Sequence, residues 1–190
     1  MEKEFYMKRM LTLFHSLLLC LALMACAASP AQYSTIALAR RDTSTDGAAA
    51  GEGLAVAFSV TAPLCGLEIE CNITGENPSI TMEIYKADTD YATTVAESPV
   101  RSETVTDLTT KLLWQFNPLE KGDYIVLFTN IKDSELIKSL QPSEMAAGKI
   151  LHLRNGTVMT DGTVALTLFC SSKDQTEPAL AVFTYPIVEE

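Results

Sequence analysis

The chain is short of the residues that most catalytic and metal centres use. Of its 190 residues two are histidine and one is tryptophan. His15 falls in a leucine-rich N-terminal run, so His152 is the single imidazole left for a folded domain. Flanked by Leu151 and Leu153 on an expected strand, it is predicted to point outward beside a turn; no histidine cluster for zinc and no Ser-His-Asp constellation suggests itself. Basic charge is scarce too: 14 Lys and Arg stand against 24 Asp and Glu, a net charge of −10. Such a surface repels nucleic acid and anionic headgroups, which argues against both as partners. No glycine-rich phosphate loop follows a strand. No apolar run reaches the roughly 18 to 20 residues that cross a bilayer as a helix.

What is present begins with an address. Lys3, Lys8 and Arg9 precede a Leu-rich run from Leu11 to Met24 and then the small residues Ala25 to Ser29, the order of a secretory signal. Leu23-Met24-Ala25-Cys26 resembles the bacterial lipobox, in which cleavage before a cysteine is followed by its acylation, although Met24 departs from the commoner small residue. Residues 1–25 are therefore expected to be removed as a lipoprotein-type signal peptide, with Cys26 anchored in the lipid bilayer. Ordinary cleavage after Ala27, Ala28 or Ala31 is the alternative. Residues 26–52, rich in Ala, Ser, Thr and Gly without apolar periodicity, read as a flexible tether.

Residues 53–190 read as one domain of strands. Leu54, Val56, Phe58 and Val60 alternate with small residues, and Leu67, Ile69 and Cys71 alternate with Glu68, Glu70 and Asn72. Ile80, Met82 and Ile84 start another strand. Lys86 to Asp107 is expected to be a long surface connection with a short strand near Pro99 to Val105. The run Trp114 to Thr129 reads as a hairpin arm around Asn117-Pro118 and Lys121-Gly122-Asp123, and Tyr124 to Phe128, apolar on both faces, requires cover on both sides. Asp133 to Gln141 offers the one expected helix, capped by Asp133 and stopped by Pro142. Asn155-Gly156 predicts a two-residue hairpin turn, and a last strand is expected over Ala179 to Val188, placed at an edge by Pro186. Eight or so strands at short spacing with one short helix predict an all-β fold, an antiparallel sandwich.

Cysteine usage leaves two arrangements open. After Cys26 come Cys65, Cys71 and Cys170, an odd number. On one extended strand Cys65 and Cys71 lie roughly 20 Å apart and cannot pair. A bridge from one of them to Cys170 and three buried thiols are equally compatible with the spacing.

Tyr91-Ala92-Thr93-Thr94-Val95-Ala96-Glu97-Ser98-Pro99-Val100, then Leu112-Leu113-Trp114-Gln115-Phe116, Leu119 and Gly122-Asp123-Tyr124, resemble jelly-roll modules of the galactose-binding-like type in secreted bacterial proteins. The likeness covers roughly residues 53 to 130. It implies a jelly-roll sandwich that binds without catalysis, with carbohydrate the favoured ligand, and it hands over no ligand-contacting residues, because such modules bind through variable loops.

Read on their own chemistry, the residues offer a few candidates. Tyr91 lies in a polar connection with Asp88 and Asp90 beside it for hydroxyl hydrogen bonds, and is the first choice for a sugar contact; Tyr85 is a second. Trp114 shares its face with Leu112 and Phe116 and reads as core. Asp88 and Asp90, with Thr89 between them, put two carboxylates in a loop of the kind Ca²⁺ favours, but they lack the glycine and terminal glutamate of an EF-hand and read as an ordinary acidic turn. Glu68 and Glu70 have a spacing an inverting glycosidase could use, but with nothing aromatic or basic expected on their face they read as solvated. The expectation is an exported, lipid-anchored, non-catalytic module without a cofactor, whose partner is a glycan or, alternatively, another envelope protein.

Overall fold

The strand Gly122–Lys132 carries five consecutive buried residues, Tyr124 to Phe128. A run apolar on both faces has to lie inside a sheet covered on both sides, and here it does. In the computed structural model, which describes residues 33–37, 47–49, 53–139, 149–160, 162–171, 180–181 and 183, fourteen strands form two antiparallel sheets. All described residues belong to one compact unit that starts at Tyr33.

In chain order, the strands of the first sheet are β1 (Tyr33–Ala37), β2 (Gly47–Ala49), β4 (Leu64–Ile73), β7 (Lys111–Leu119), β9 (Ser134–Ser139), β12 (Thr163–Val164) and β13 (Leu166–Ser171). Their order is β1-β13-β4-β9-β12, with β7 also on β4 and β2 also on β9. The second sheet holds β3 (Leu54–Val60), β5 (Ser79–Lys86), β6 (Arg101–Val105), β8 (Gly122–Lys132), β10 (Ile150–Arg154), β11 (Thr157–Met159) and β14 (Leu180–Ala181). Its order is β11-β10-β3-β8-β5-β6, and β14 pairs the far end of β3. The chain changes sheet at most of its connections.

The core forms where the two sheets face each other. Val56, Phe58, Met82, Ile84, Val126 and Phe128 meet Leu64, Leu67, Ile69, Trp114, Leu166 and Leu168. Trp114 stands edge-on to Phe116 with ring centres 5.2 Å apart, so it serves packing. The outer face of the second sheet has a cluster of its own: Ala55, Ala57, Tyr85, Ile125, Leu127, Leu153 and Phe183. That cluster explains why β8 is apolar on both sides. One side of the sandwich is tied by Arg101, whose guanidinium donates to the carbonyls of Val100 at 2.6 Å and Asn117 at 2.9 Å, linking edge strands β6 and β7.

Several expectations are corrected. The stretch 133–141 is not a helix: Ser134–Ser139 is strand β9, because the far end of β4 needs a partner and finds it in the pairing of Cys71 with Leu136 and Ile73 with Ser134. Asp133 turns the chain at φ 49° rather than capping a helix; Leu140 and Gln141 lie outside the described residues. The helix falls instead in the stretch expected to be a surface connection, as α1 (Tyr91–Ala96). Nor is 26–52 wholly a tether, since β1 pairs with β13 and β2 with β9. The strand count exceeds the expected eight or so because β1 and β2 fall in the expected tether, β9 falls in the expected helix, and β12 and β14 add pieces of two residues each. The Asn-Gly hairpin forms as predicted, with φ 50° at Asn155 and 85° at Gly156. The signal peptide, Cys26 and Pro186 lie outside the described residues. Among the described residues no helix is long and apolar enough to cross a membrane.

Candidate functional site

The residues singled out for sugar contact do come together, but around the start of α1 and in structural roles. Asp90 Oδ1 accepts the Thr93 amide at 2.7 Å, an N-cap. That backbone hydrogen bond holds the Asp90 carboxyl below its usual range. Thr94, fully buried, donates its hydroxyl to the Asp90 carbonyl at 2.7 Å and accepts the Asp88 amide at 3.0 Å. Asp88 Oδ1 accepts the Thr89 amide at 2.8 Å, so both carboxylates brace the turn and the helix start.

The two tyrosines pack onto the outer cluster of the second sheet. Tyr85 is buried and donates its hydroxyl to Glu83 Oε2 at 3.1 Å; burial, then the Glu83 carboxylate, pushes its phenol up to about 12. Tyr91, half-buried, lies against the β10–β11 turn, where a Cβ on Gly156 would come within 2.9 Å of its ring. Tyr91 is thus no freely exposed stacking platform, and its ring seals α1 to the sheet. Among the described residues no group of three or more His, Cys, Asp and Glu is placed to hold a metal ion.

His152 does not point outward. It is buried, opposite Val56 of β3, with Nδ1 2.6 Å from the Gly162 carbonyl oxygen. A carbonyl only accepts, so Nδ1 carries the proton. Leu151 and Leu153 hid this orientation, because they face the outer cluster and make β10 apolar on both sides.

A different surface gathers chemistry on the outer face of the first sheet. Along β13 the buried Leu166, Leu168 and Cys170 alternate with half-buried Thr167 and Phe169. Phe169 pairs with Gly66, which pairs on its other side with exposed Gln115; the next row is Thr167, Glu68 and Leu113. Glu70 and Lys111 make the third row. Leu113 is 48% exposed, the most exposed large apolar side chain among the described residues. Gly66 permits the close approach of β4 and β7, since a Cβ there would stand 2.7 Å from the Trp114 carbonyl oxygen.

The third row corrects the reading of Glu68 and Glu70 as a face without basic residues. Lys111 Nζ lies 3.6 Å from Glu68 Oε1 and 3.2 Å from Glu70 Oε1. The hydrogen bond from Lys111 to Glu70, reinforced by both carboxylate charges, raises the ammonium above its usual range. Lys111 reaches the pair because β7 lies beside β4 in antiparallel register, a long-range pairing that the alternation of Leu112, Trp114 and Phe116 allows but does not specify. The face thus offers an aromatic ring, an amide, a threonine hydroxyl and a bridged charge cluster within three cross-strand rows. No protein-family model, curated protein or solved structure matches the chain.

Proposed function

We propose that this protein is an exported, non-catalytic binding module, anchored to the bacterial cell surface through acylated Cys26, whose ligand class is carbohydrate. The contact surface is the outer face of the first sheet rather than the Tyr91 loop. One observation carries the reading: the row Phe169–Gly66–Gln115 lies directly beside Thr167–Glu68–Leu113. Gly66, buried between the aromatic and the amide, lets β4 and β7 approach closely. A pyranose presents an apolar C–H face to a ring and hydroxyls to amide, hydroxyl and carboxylate groups, and this surface offers both kinds of partner.

A glycan array tests the reading, with the mature protein run beside its Phe169→Ala, Gln115→Ala and Tyr91→Ala variants. Saturable binding lost in the first two and kept in the third supports it. Binding lost only with Tyr91 moves the site to the loop, and a blank array removes carbohydrate. Peptide mass spectrometry of the membrane fraction tests the anchor: a diacylated Cys26 peptide supports it, and an N-terminus at Ala28 overturns it.

Adhesion to another envelope protein is a second reading, favoured by β6. Among the described residues this strand pairs on one side only, with β5, and Ser102, Glu103 and Thr104 are exposed along it. A one-sided strand offers its free backbone groups to a partner strand. A Ser102→Pro variant that abolishes capture of an envelope protein, with glycan binding absent throughout, would favour this reading.

A further inference from the structure

We infer that Cys65 and Cys170 are the partners of a disulfide joining β4 to β13, with Cys71 left as the free thiol. All three are reduced and buried in the structure, and the register of the strands distinguishes them. Phe169 lies opposite Gly66 and Cys170 opposite Leu64. Cys65 is therefore the extra residue of a β-bulge, and Leu64 and Cys65 together face Cys170. A shared acceptor brings the two cysteines closer still. The Ser171 amide donates to the Pro63 carbonyl oxygen at 2.8 Å, and Cys65 Sγ lies 3.6 Å from that same oxygen. The Ser171 nitrogen is bonded to the carbonyl carbon of Cys170, so the sulfur of one cysteine lies beside the backbone of the other.

Facing residues of an antiparallel pair have Cα atoms about 4.5 to 5.5 Å apart, inside the range of about 4.4 to 6.8 Å that a disulfide spans. Cys71 stands six residues further along β4, about 20 Å away at strand rise, where it faces Leu136 of β9. It reaches neither of the other two.

Burial decides when the bond forms. Cys170 is fully buried and Cys65 is 6% exposed, and burial pushes both thiols up, away from the thiolate that exchange requires. The bridge forms while the chain folds and is then shielded from reductants. One cysteine thiolate attacks a sulfur of an external disulfide, such as oxidised glutathione, and releases one glutathione thiol. The second thiolate attacks the resulting mixed disulfide and releases the other. Two cysteine thiols lose two protons and two electrons, and one external disulfide becomes two thiols. Such chemistry suits an oxidising compartment, but the test does not depend on export or on any ligand.

The full-length protein is unfolded with denaturant and reductant, refolded in a glutathione redox buffer, alkylated, and digested after glutamate without reduction. Cleavage after Glu68 and Glu70 separates Cys65 from Cys71. The expected result is a Cys65 peptide linked to a Cys170 peptide, an alkylated Cys71, and a Tm about 5 to 15 °C above that of protein refolded in excess reductant. Alkylation of both Cys65 and Cys170, or a bridge that includes Cys20, Cys26 or Cys71, overturns the inference. Cys65→Ser should abolish the reductant-sensitive part of Tm. Should that variant fail to fold, Cys71→Ser decides, because it leaves the bridge intact and must keep both the linked peptides and the Tm difference.

Discussion

The carboxylate of Asp133 accepts the amide of Asn77 at 3.1 Å, so the turn between β8 and β9 holds the turn between β4 and β5. The Asp133 carbonyl accepts the amides of Thr74 and Gly75 as well, at 2.9 and 3.2 Å. Gly75 is needed there, because a Cβ on it would fall 2.5 Å from the Asp133 carboxyl carbon. With φ at 49°, Asp133 occupies a conformation that Asn also tolerates and Ala resists. Asp133→Ala should lower stability by about 1 to 2 kcal/mol in urea denaturation, and Asp133→Asn by clearly less. Equal losses in the two variants would show that neither the backbone conformation nor the Asn77 contact matters.

Gly66→Ala places a methyl against the Trp114 carbonyl and should force β4 and β7 apart. Overpacking of this kind costs about 1 to 3 kcal/mol. Thermal unfolding measures it, and an unchanged Tm would mean that the two strands separate without strain.

Adjacent residues of β7 should respond very unequally to truncation. Trp114 is 5% exposed in the core and Leu113 is 48% exposed on the outer face. Trp114→Ala is expected to cost about 3 to 5 kcal/mol, whereas Leu113→Ala should leave the denaturation midpoint nearly in place. Similar losses from both would contradict the orientation of β7.

Acid should weaken the cap of α1. The Asp90 carboxyl is held below its usual 3.8 by the Thr93 amide, so the folded state binds its proton less readily than the unfolded state. The stability it contributes is complete above that value and is lost as pH falls through the lower folded value. The stability difference between the wild-type protein and Asp90→Ala should therefore shrink below about pH 4. A difference independent of pH from 7 to 2 would rule out a charged cap.

Alkali should act through Cys71. Burial, then the charge of Glu70, pushes its thiol from 9.0 to about 11. The folded state keeps this proton while the unfolded state gives it up, so its contribution is complete below pH 9 and disappears between about 9 and 11. Cys71→Ala should lessen the fall of stability in that window, part of which belongs to the raised phenol of Tyr85, as read from urea midpoints at a series of pH values.

The parts of the fold that were legible in the sequence are those set by local chemistry. Tyr124 to Phe128 announces a doubly covered strand, and Asn155-Gly156 supplies the two positive φ angles of its turn. The parts that were hidden depend on distant partners. Leu136 and Ile137 form an apolar pair too short to carry a period, and only the unpaired end of β4 makes them strand. Helix α1 has six residues, fewer than two turns, and its sole local mark was Asp90 three positions before Thr93. The candidate face was least visible. Phe169, Gly66 and Gln115 are about fifty residues or more from the nearest of their fellows, and each looked like an ordinary strand residue until register joined them.

The pairing of β1 with β13 changes where this protein can be cut. A shortened version begun at residue 53, where the composition shifts, would strip β1 from Ser171, Cys170, Phe169, Leu168 and Thr167. It would leave a bare strand margin beside the candidate binding face, open to stacking against a second molecule. The smallest well-behaved unit therefore starts no later than Tyr33, and material begun at residue 53 should precipitate at concentrations the longer protein tolerates.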